Sequence, residues 1–266
     1  LAIGGFDGVH LGHRAVIEKA TRVLVIEKGG NLTPGRERGC HIPHPLIFWE
    51  LSKLKQLEPG EFLILIRKKF GRVGIVVGED FRFGAERKGN LTLLQKFFPV
   101  KIIPPVKVEG VEVHSQVIRT YFKKGEIGKG NRLLGRPYRI WGRKVKGQGL
   151  GQKKLLPTIN LKIELPFLLP RQGVYATRLE TFPSLTFIGN RSTDGKFAIE
   201  VHLLGKWREM ETGLESEWGK VECNGKLHLS FLHFIRPVEK FKGLGELKRR
   251  LERDLGEGYS YFEGEI

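Results

Sequence analysis

His10 and His13 stand three apart around Gly12 in LAIGGFDGVHLGHRA, the opening stretch of this 266-residue chain. HxGH at that spacing points to nucleotidyl transfer. Such chemistry makes no demand for a protein nucleophile; it needs donors that hold a triphosphate and stabilise charge on the α-phosphate and the leaving pyrophosphate. Two imidazoles at a helix start supply such donors. Gly4, Gly5 and Gly8 let the backbone approach closely, and a helix from about Leu11 adds its N-terminal N–H groups and positive dipole end. The plainer alternative is a surface turn with two histidines, but strand, glycine turn, histidine pair and helix follow in the order a nucleotide site requires. A second constellation lies far along the chain, where Gly142, Gly147 and Gly151 lead into Pro157-Thr158-Ile159-Asn160. A hydroxyl and an amide oxygen two residues apart on an extended strand project to one face, where both could ligand Mg²⁺ beside a nucleotide phosphate. Taken alone, a glycine-rich hairpin ending in a polar turn explains these residues more simply.

The elements that must carry these residues differ between the halves. In the first, apolar strands around Leu1 to Ile3, Gly74 to Val77 and Val100 to Ile103 alternate with helical stretches near Leu11 to Lys28 and Leu91 to Phe98. That alternation predicts a doubly wound α/β sheet with its phosphate site at the carboxyl ends of the strands, where the histidine turn and the GEDFRFG loop converge. The second half carries shorter β-like segments, YRIWGRKV, GVYATRLE, LTFIG, AIEVHLL and KLHLSFLHFI, which predict an antiparallel barrel closed by a helix at about Leu244 to Leu255. The turn-rich GEIGKGN segment reads as a connector, with one domain over 1–130 and a second over 131–266. There is no internal repeat.

Composition fits soluble domains with separate cores: 40% hydrophobic, 28% charged, and no apolar run near the length of a membrane span. The net charge of +17 divides into an excess of nine basic residues in 1–130 and eight in 131–266, with no block of five like charges. An even spread argues against a nucleic-acid-binding tail, although salt-sensitive binding to DNA or RNA stays open as an alternative function. RKK at 67–69 and KRR at 248–250 read as solvated faces. Cys40 and Cys223 make neither a metal-spaced cluster nor a disulfide framework, so a reducing cytoplasm is the expected home. No signal peptide is visible, and Leu1 opens within an apparent strand without an initiator Met, so the natural start is expected upstream.

Together the two constellations resemble bacterial bifunctional riboflavin kinase/FAD synthetase. The likeness runs in order through GGFDGVHLGH, the PHP at 43–45, VVGEDFRFG at 76–84, Gly89-Asn90, Ser115 to Arg119, LLGRPY at 133–138, PTIN, Gly173 to Ala176, EVHLL at 200–204 and FIRPVEKF at 234–241. It implies phosphorylation of riboflavin to FMN and adenylylation of FMN to FAD, with ATP as co-substrate, Mg²⁺ as cofactor and no membrane partner; oligomeric state is left open. The resemblance casts His10, His13 and Arg119 as catalytic in the first reaction site, with Gly4, Phe6, Gly12 and Ser115 binding nucleotide. Asp80, Phe81, Phe83 and Asn90 are cast as flavin-binding, beside Gly78 and Gly84 of the same loop. For Phe81 and Phe83, two core aromatics is the simpler reading of the spacing. In the second site, Glu200 is cast as the carboxylate that takes the ribityl 5′-hydroxyl proton, Thr158 and Asn160 as Mg²⁺ ligands, Gly142, Gly147 and Gly151 as nucleotide-binding, and Arg236 and Phe241 as flavin contacts. Without the resemblance Glu200 is an exposed strand residue and Arg236 the solvated end of a core strand.

The chain departs from the family pattern in places. GGNLTPGRERGCHI replaces an apolar strand before PHP and reads as loop, and only about a dozen residues separate Pro45 from the LEPGEFL helix start. The first sheet is therefore expected to lack part of a strand pair, which leaves open a kinase whose adenylyltransferase half is degenerate. Leu155-Leu156 stands where the family has Gly-Phe, Gln152 replaces an Arg, Ile159 replaces an Ala and should point away from the magnesium face, and an insertion from Gly205 to Asn224 reads as a surface excursion.

Overall fold

Alternation along short strands sorts the apolar side chains of the first half onto two faces of one sheet. In the computed structural model, which describes residues 1–146, 156–191, 194–205 and 226–263, the chain divides into two units: Leu1–Ile118 with Leu133–Gly135, and Arg119–Arg132 with Arg136–Ile266. The first unit holds a parallel sheet of β1 (Ala2–Gly4), β2 (Val23–Glu27), β3 (Leu46–Glu50), β4 (Ile75–Gly78) and β5 (Val100–Ile103), in the order β3-β2-β1-β4-β5. Ala2, Val23, Val25 and Val76 pack on one face with Val16 and Ile17 of α1 (Leu11–Ile17). The opposite parity, Leu1, Ile3, Leu24, Ile75 and Val77, packs with Phe62, Leu63 and Ile66 of α3 (Pro59–Phe70) and Leu94 of α4 (Leu91–Phe97), with the short α2 (Leu51–Leu54) preceding them. Helices on both faces of a parallel sheet make this the expected doubly wound α/β domain. The order reverses beside β1, which places the binding crevice at the carboxyl ends of β1 and β4.

Three local expectations are corrected. The helix expected over Leu11 to Lys28 stops at Ile17, and Val23–Glu27 is a strand, because VLVIE is buried on both faces in mid-sheet and such strands read as unbroken apolar runs without a period. The sheet is not missing a strand pair: Leu46–Glu50, directly after PHP, lies in full parallel register with Val23–Glu27. The 29–42 segment is not all loop, since Gly35–His41 winds into a 3₁₀ helix. Further on, β6 (Lys107–Val108) and β7 (Val111–Glu112) form a small hairpin, and α5 (Ser115–Lys124) and α6 (Ile127–Leu134) follow. The expected connector at GEIGKGN is thus largely helix α6, whose Ile127, Leu133 and Leu134 are buried at helical spacing that outweighs its glycines.

The second unit contains the expected closed antiparallel barrel, β10-β11-β12-β9-β8-β13, built from β8 (Tyr138–Val145), β9 (Ile159–Lys162), β10 (Gly173–Leu179), β11 (Phe182–Asn190), β12 (Phe197–Leu203) and β13 (Leu227–Pro237). The sixth strand is β9, which begins within PTIN at Ile159. The final helix α7 (Leu244–Tyr261) runs a turn and a half beyond the expected Leu255. It packs Leu255 and Phe262 against Ala176 and Leu185, and comes so close at Gly258 that a Cβ there would lie 2.8 Å from a Leu185 methyl.

Arg236 is not a solvated strand end. It is 6% exposed, and its Nε and Nη2 donate to the carboxylate of Asp254 on α7 at 2.8, 3.0 and 2.7 Å. Arg250, within the KRR run, also reaches Asp254 (3.4 Å), Glu239 and Glu257, so only its neighbours Lys248 and Arg249 are solvated. Asp254→Ala leaves two guanidinium groups facing a lost partner, one of them buried. We expect a loss of about 3–5 kcal/mol in unfolding free energy, since breaking a buried ion pair from one side strands the other charge. Urea denaturation checks this; a loss below about 1 kcal/mol, the range of exposed pairs, would contradict it.

Candidate active sites

The turn between β1 and α1 is strained before any ligand is considered. Phe6 (φ +47°) and Val9 (φ +42°) both occupy the left-handed region, which a β-branched residue rarely adopts. Both are buried in the core, which holds the backbone there. The strain delivers His10 to the N-cap of α1, where its Nδ1 accepts the backbone N–H of His13 at 3.3 Å. An accepting Nδ1 places the proton of a neutral ring on Nε2, so His10 presents an N–H donor at its far edge. His13 stacks on it with ring centroids 3.5 Å apart and meets the Phe6 ring edge-on at 5.4 Å. The Nδ1 of His13 is buried with no hydrogen-bond partner. Orphaned buried polar atoms are rare, and each calls for an explanation in strain, in chemistry or in a partner from outside the chain. Gly12 is tight: a Cβ would come within 3.2 Å of the Val113 carbonyl.

Burial, then the neighbouring His10, Lys28, Arg38 and His114, push the His13 pKa well below its ordinary value. An anionic phosphate would reverse the charge part of that cost. The same depression predicts a pH dependence of stability. Between the folded and unfolded pKa values the unfolded chain binds the extra proton, so stability is full above about pH 6.5 and declines as pH falls below it. His202, also depressed by burial, acts in the same direction. Melting temperature should therefore drop between pH 7.5 and 5.5, and drop less in His13→Gln; an equal drop would contradict the account.

Sequence reasoning missed three residues that build this site. Asp7 is buried, and its carboxylate accepts the backbone N–H groups of Asn31 (3.2 Å) and Thr33 (2.9 Å), folding the segment after β2 back onto the histidine turn. Arg38, 0% exposed, pairs with Glu27 and donates to the Gly35 carbonyl at 2.9 Å, bringing a buried positive charge to His13. Burial raises the Glu27 pKa, but hydrogen bonds from Arg38 and Gly29 outweigh it and hold the carboxyl below its usual range. Neither Asp7 in a glycine turn nor Arg38 among basic loop residues carries a sequence signal that separates it from an exposed residue.

The other residues cast for the first reaction site are placed as follows. Gly4 ends β1 and Gly78 ends the adjacent β4, so both loops leave the same sheet edge. Asp80 is exposed, Phe81 is half-buried, and Phe83 is buried against Phe62 (5.3 Å) and Phe81 (5.7 Å), with Gly84 just beyond. Asn90 caps α4, its Oδ1 accepting the Leu93 N–H at 2.9 Å. The Ser115 hydroxyl donates to the Asp7 carbonyl at 2.8 Å, tying the start of α5 to the histidine turn; Arg119, half-buried, lies one turn further along α5.

In the barrel, strand register does what sequence distance hides. Asn160 of β9 and Glu200 of β12 are direct cross-strand partners, so their side chains emerge side by side on one face. Ile159, Leu161, Ile199, Val201 and Leu203 are buried on the other face, which leaves Asn160, Glu200 and His202 half-buried on the outward one. Thr158 is half-buried just ahead of β9. Burial raises the Glu200 pKa, and Arg191 partly offsets it, with Nη1 3.4 Å from Oε1. Arg191 is itself held by Asp194 through bonds of 3.1 and 2.8 Å. His202 Nδ1 lies 2.8 Å from the Pro157 carbonyl oxygen. On β8, Gly142 admits the chain so closely that a Cβ would meet the Lys162 carbonyl at 2.6 Å. Gly147, Gly151 and most of the inserted segment lie outside the described residues. Arg236 is committed to Asp254, with its guanidinium 5.9 Å over the Phe241 ring.

Among the described residues, no group of three or more His, Cys, Asp or Glu side chains is arranged to hold a metal, and no helix is long and apolar enough to cross a membrane. The oxygens of Thr158 and Asn160 are hard donors of the kind Mg²⁺ takes one or two at a time, with phosphate oxygens completing the shell, so the residues fit that ion.

Two family models match separate stretches of the chain. A riboflavin kinase family model matches residues 134–262, and a FAD synthetase family model matches 45–117. The bifunctional riboflavin kinase/FMN adenylyltransferase of Listeria monocytogenes is 28% identical, covering 98% of this chain and 92% of that protein. The proteins of the same name from Escherichia coli K12 (29%; 96% and 90% covered) and Bacillus subtilis (28%; 98% and 92%) align similarly. A crystal structure described as a macrolide-efflux protein from Streptococcus pneumoniae shares the fold, with a TM-score of 0.78 at 22% identity over 98% of this chain and 93% of that one.

Proposed function

We propose, since the chain belongs to the bifunctional riboflavin kinase/FMN adenylyltransferase family, that it makes FMN on the barrel and FAD at the histidine turn. Residues 1–130 serve as the adenylyltransferase and 131–266 as the kinase. The carrying observation is the pairing of Glu200 with Asn160 across β12 and β9.

In the kinase step the ribityl 5′-hydroxyl attacks the γ-phosphorus of ATP, the bond to the β-phosphate oxygen breaks, and ADP leaves. Glu200 takes the hydroxyl proton; a carboxylate made more basic by burial suits that task. Thr158 and Asn160 hold Mg²⁺, which when bound neutralises charge on the phosphates. Gly142, Gly147 and Gly151 make room for nucleotide, and Phe241, under Arg236, serves the flavin side. In the adenylyl step an FMN phosphate oxygen attacks the α-phosphorus and pyrophosphate leaves. His10, through Nε2–H, and His13 hold the triphosphate, with Ser115 and Arg119 as further donors. Gly4, Phe6 and Gly12 shape the turn; Asp80, Phe81, Phe83 and Asn90 form the flavin loop, Phe83 and Asn90 as its buried support and helix cap. The reading places the enzyme in a reducing cytoplasm, acting on small molecules.

A kinase with a degenerate partner domain rested on an incomplete sheet, and the five-stranded sheet removes that ground. The test is chromatographic: purified protein with ATP and Mg²⁺, given riboflavin in one tube and FMN in another. FMN and FAD are expected from the first and FAD from the second; conversion of neither flavin would sink the proposal.

A further inference from the structure

Regular pairing between β9 and β12 stops at Val201 and Ile159. One residue further, the same register would set His202 opposite Thr158, and the next residue of the incoming chain is Pro157, which has no N–H to donate. At that point a side chain replaces the ladder: His202 Nδ1 lies 2.8 Å from the Pro157 carbonyl oxygen. The acceptor is a carbonyl, so Nδ1 carries the proton. Because a peptide unit is planar, holding the Pro157 carbonyl also fixes the plane that carries the Thr158 nitrogen and Cα.

We infer that His202 is a positioning residue for the kinase, pinning the Pro157–Thr158 peptide so that Thr158 and Asn160 present their oxygens together beside Glu200. The inference rests on the kinase reading of this face. His202 shares the outward face of β12 with Glu200, two residues away, so a single rigid strand carries both the candidate base and the pin for the candidate metal ligand. Pro157 cannot donate a ladder hydrogen bond, so backbone pairing gives the segment just ahead of β9 no hold at that point. Support for the ligand segment therefore comes from β9 on one side and from His202 on the other. Outer partners of this kind govern metal-site geometry without touching the ion.

The test compares His202→Phe, which keeps a ring and removes the donor, with His202→Asn, whose amide N–H can occupy the place of Nδ1–H. Three readouts are taken on the full chain: steady-state kinase kinetics in Mg²⁺-ATP, calorimetric affinity for Mg²⁺-ADP, and hydrogen exchange of a peptide spanning residues 156–161. In His202→Phe, KM for Mg²⁺-ATP should rise and Mg²⁺-ADP affinity fall by about tenfold, with kcat changed less than about threefold and faster exchange at 158–160. His202→Asn should recover most of each change. The inference is overturned if the Phe variant matches wild type in all three, if kcat alone falls, or if both variants lose affinity equally alongside a lowered melting temperature. Wild-type protein that forms no FMN would defeat the kinase reading instead, and exchange at 158–160 would still report whether His202 pins the peptide.

Discussion

Glu200→Gln should lower FMN formation by about 10²–10⁴-fold, the range attributable to a positioned general base, while FAD formation from supplied FMN proceeds at the wild-type rate. The amide keeps the size of the side chain and an oxygen for Arg191, whose guanidinium is still anchored by Asp194. What it loses is the ability to accept the hydroxyl proton as the γ-phosphoryl group transfers. The burial that lifts the Glu200 pKa disfavours the charged form, so an uncharged replacement should not destabilise the barrel. A melting temperature equal to wild type with kinase turnover lost places the effect in chemistry. Wild-type kinase turnover in this variant would remove Glu200 from the mechanism and with it the main support for the barrel as a catalytic domain.

His13→Ala should have the complementary outcome: FAD formation from FMN falls by about 10²–10³-fold, the scale of losing one preorganised donor, and riboflavin phosphorylation is unaffected. His13 has little internal work to do beyond its ring contacts. Its backbone N–H donates to Nδ1 of the capping His10, an interaction the substitution retains, and its own Nδ1 has no protein partner. Its loss should therefore be felt when triphosphate binds and when charge builds on pyrophosphate. Unchanged adenylylation would show that the stacked pair is a structural feature of the turn. Loss of both activities would point to a general folding defect, which the melting temperature would report.

Much of the architecture was legible in the residues. Apolar strands around Leu1 to Ile3 and Gly74 to Val77, alternating with helical stretches, announced a doubly wound sheet, and the spaced segments from YRIWGRKV to KLHLSFLHFI announced a barrel. Val23–Glu27 was misread because this mid-sheet strand is apolar at each position from Val23 to Ile26, and its period-2 signal is erased by the very burial that makes it a strand. The 3₁₀ turn at Gly35–His41 was hidden because its stabilising group is a single buried Arg38 bonded to Glu27 and to a local carbonyl, not a pattern of apolar residues. Arg236 illustrates the same limit: an Arg after a strand reads as solvated unless Asp254, 18 residues later on another element, is known to face it.

Local chemistry was therefore set by the chain itself: which groups accept protons, donate to phosphate or ligate a hard cation, and where glycine permits close approach. These properties belong to residue types and to spacings of two to four, which backbone geometry converts directly into a common face. Convergence was decided only in three dimensions. Asn160 and Glu200 are neighbours because barrel closure sets the register of β9 against β12, and a slip of one residue would turn Glu200 toward the core. Arg38 reaches His13, and Asp7 the Asn31–Thr33 segment, for the same kind of reason, since parallel strands bring distant turns to one edge of the sheet and burial then makes each charge find a partner.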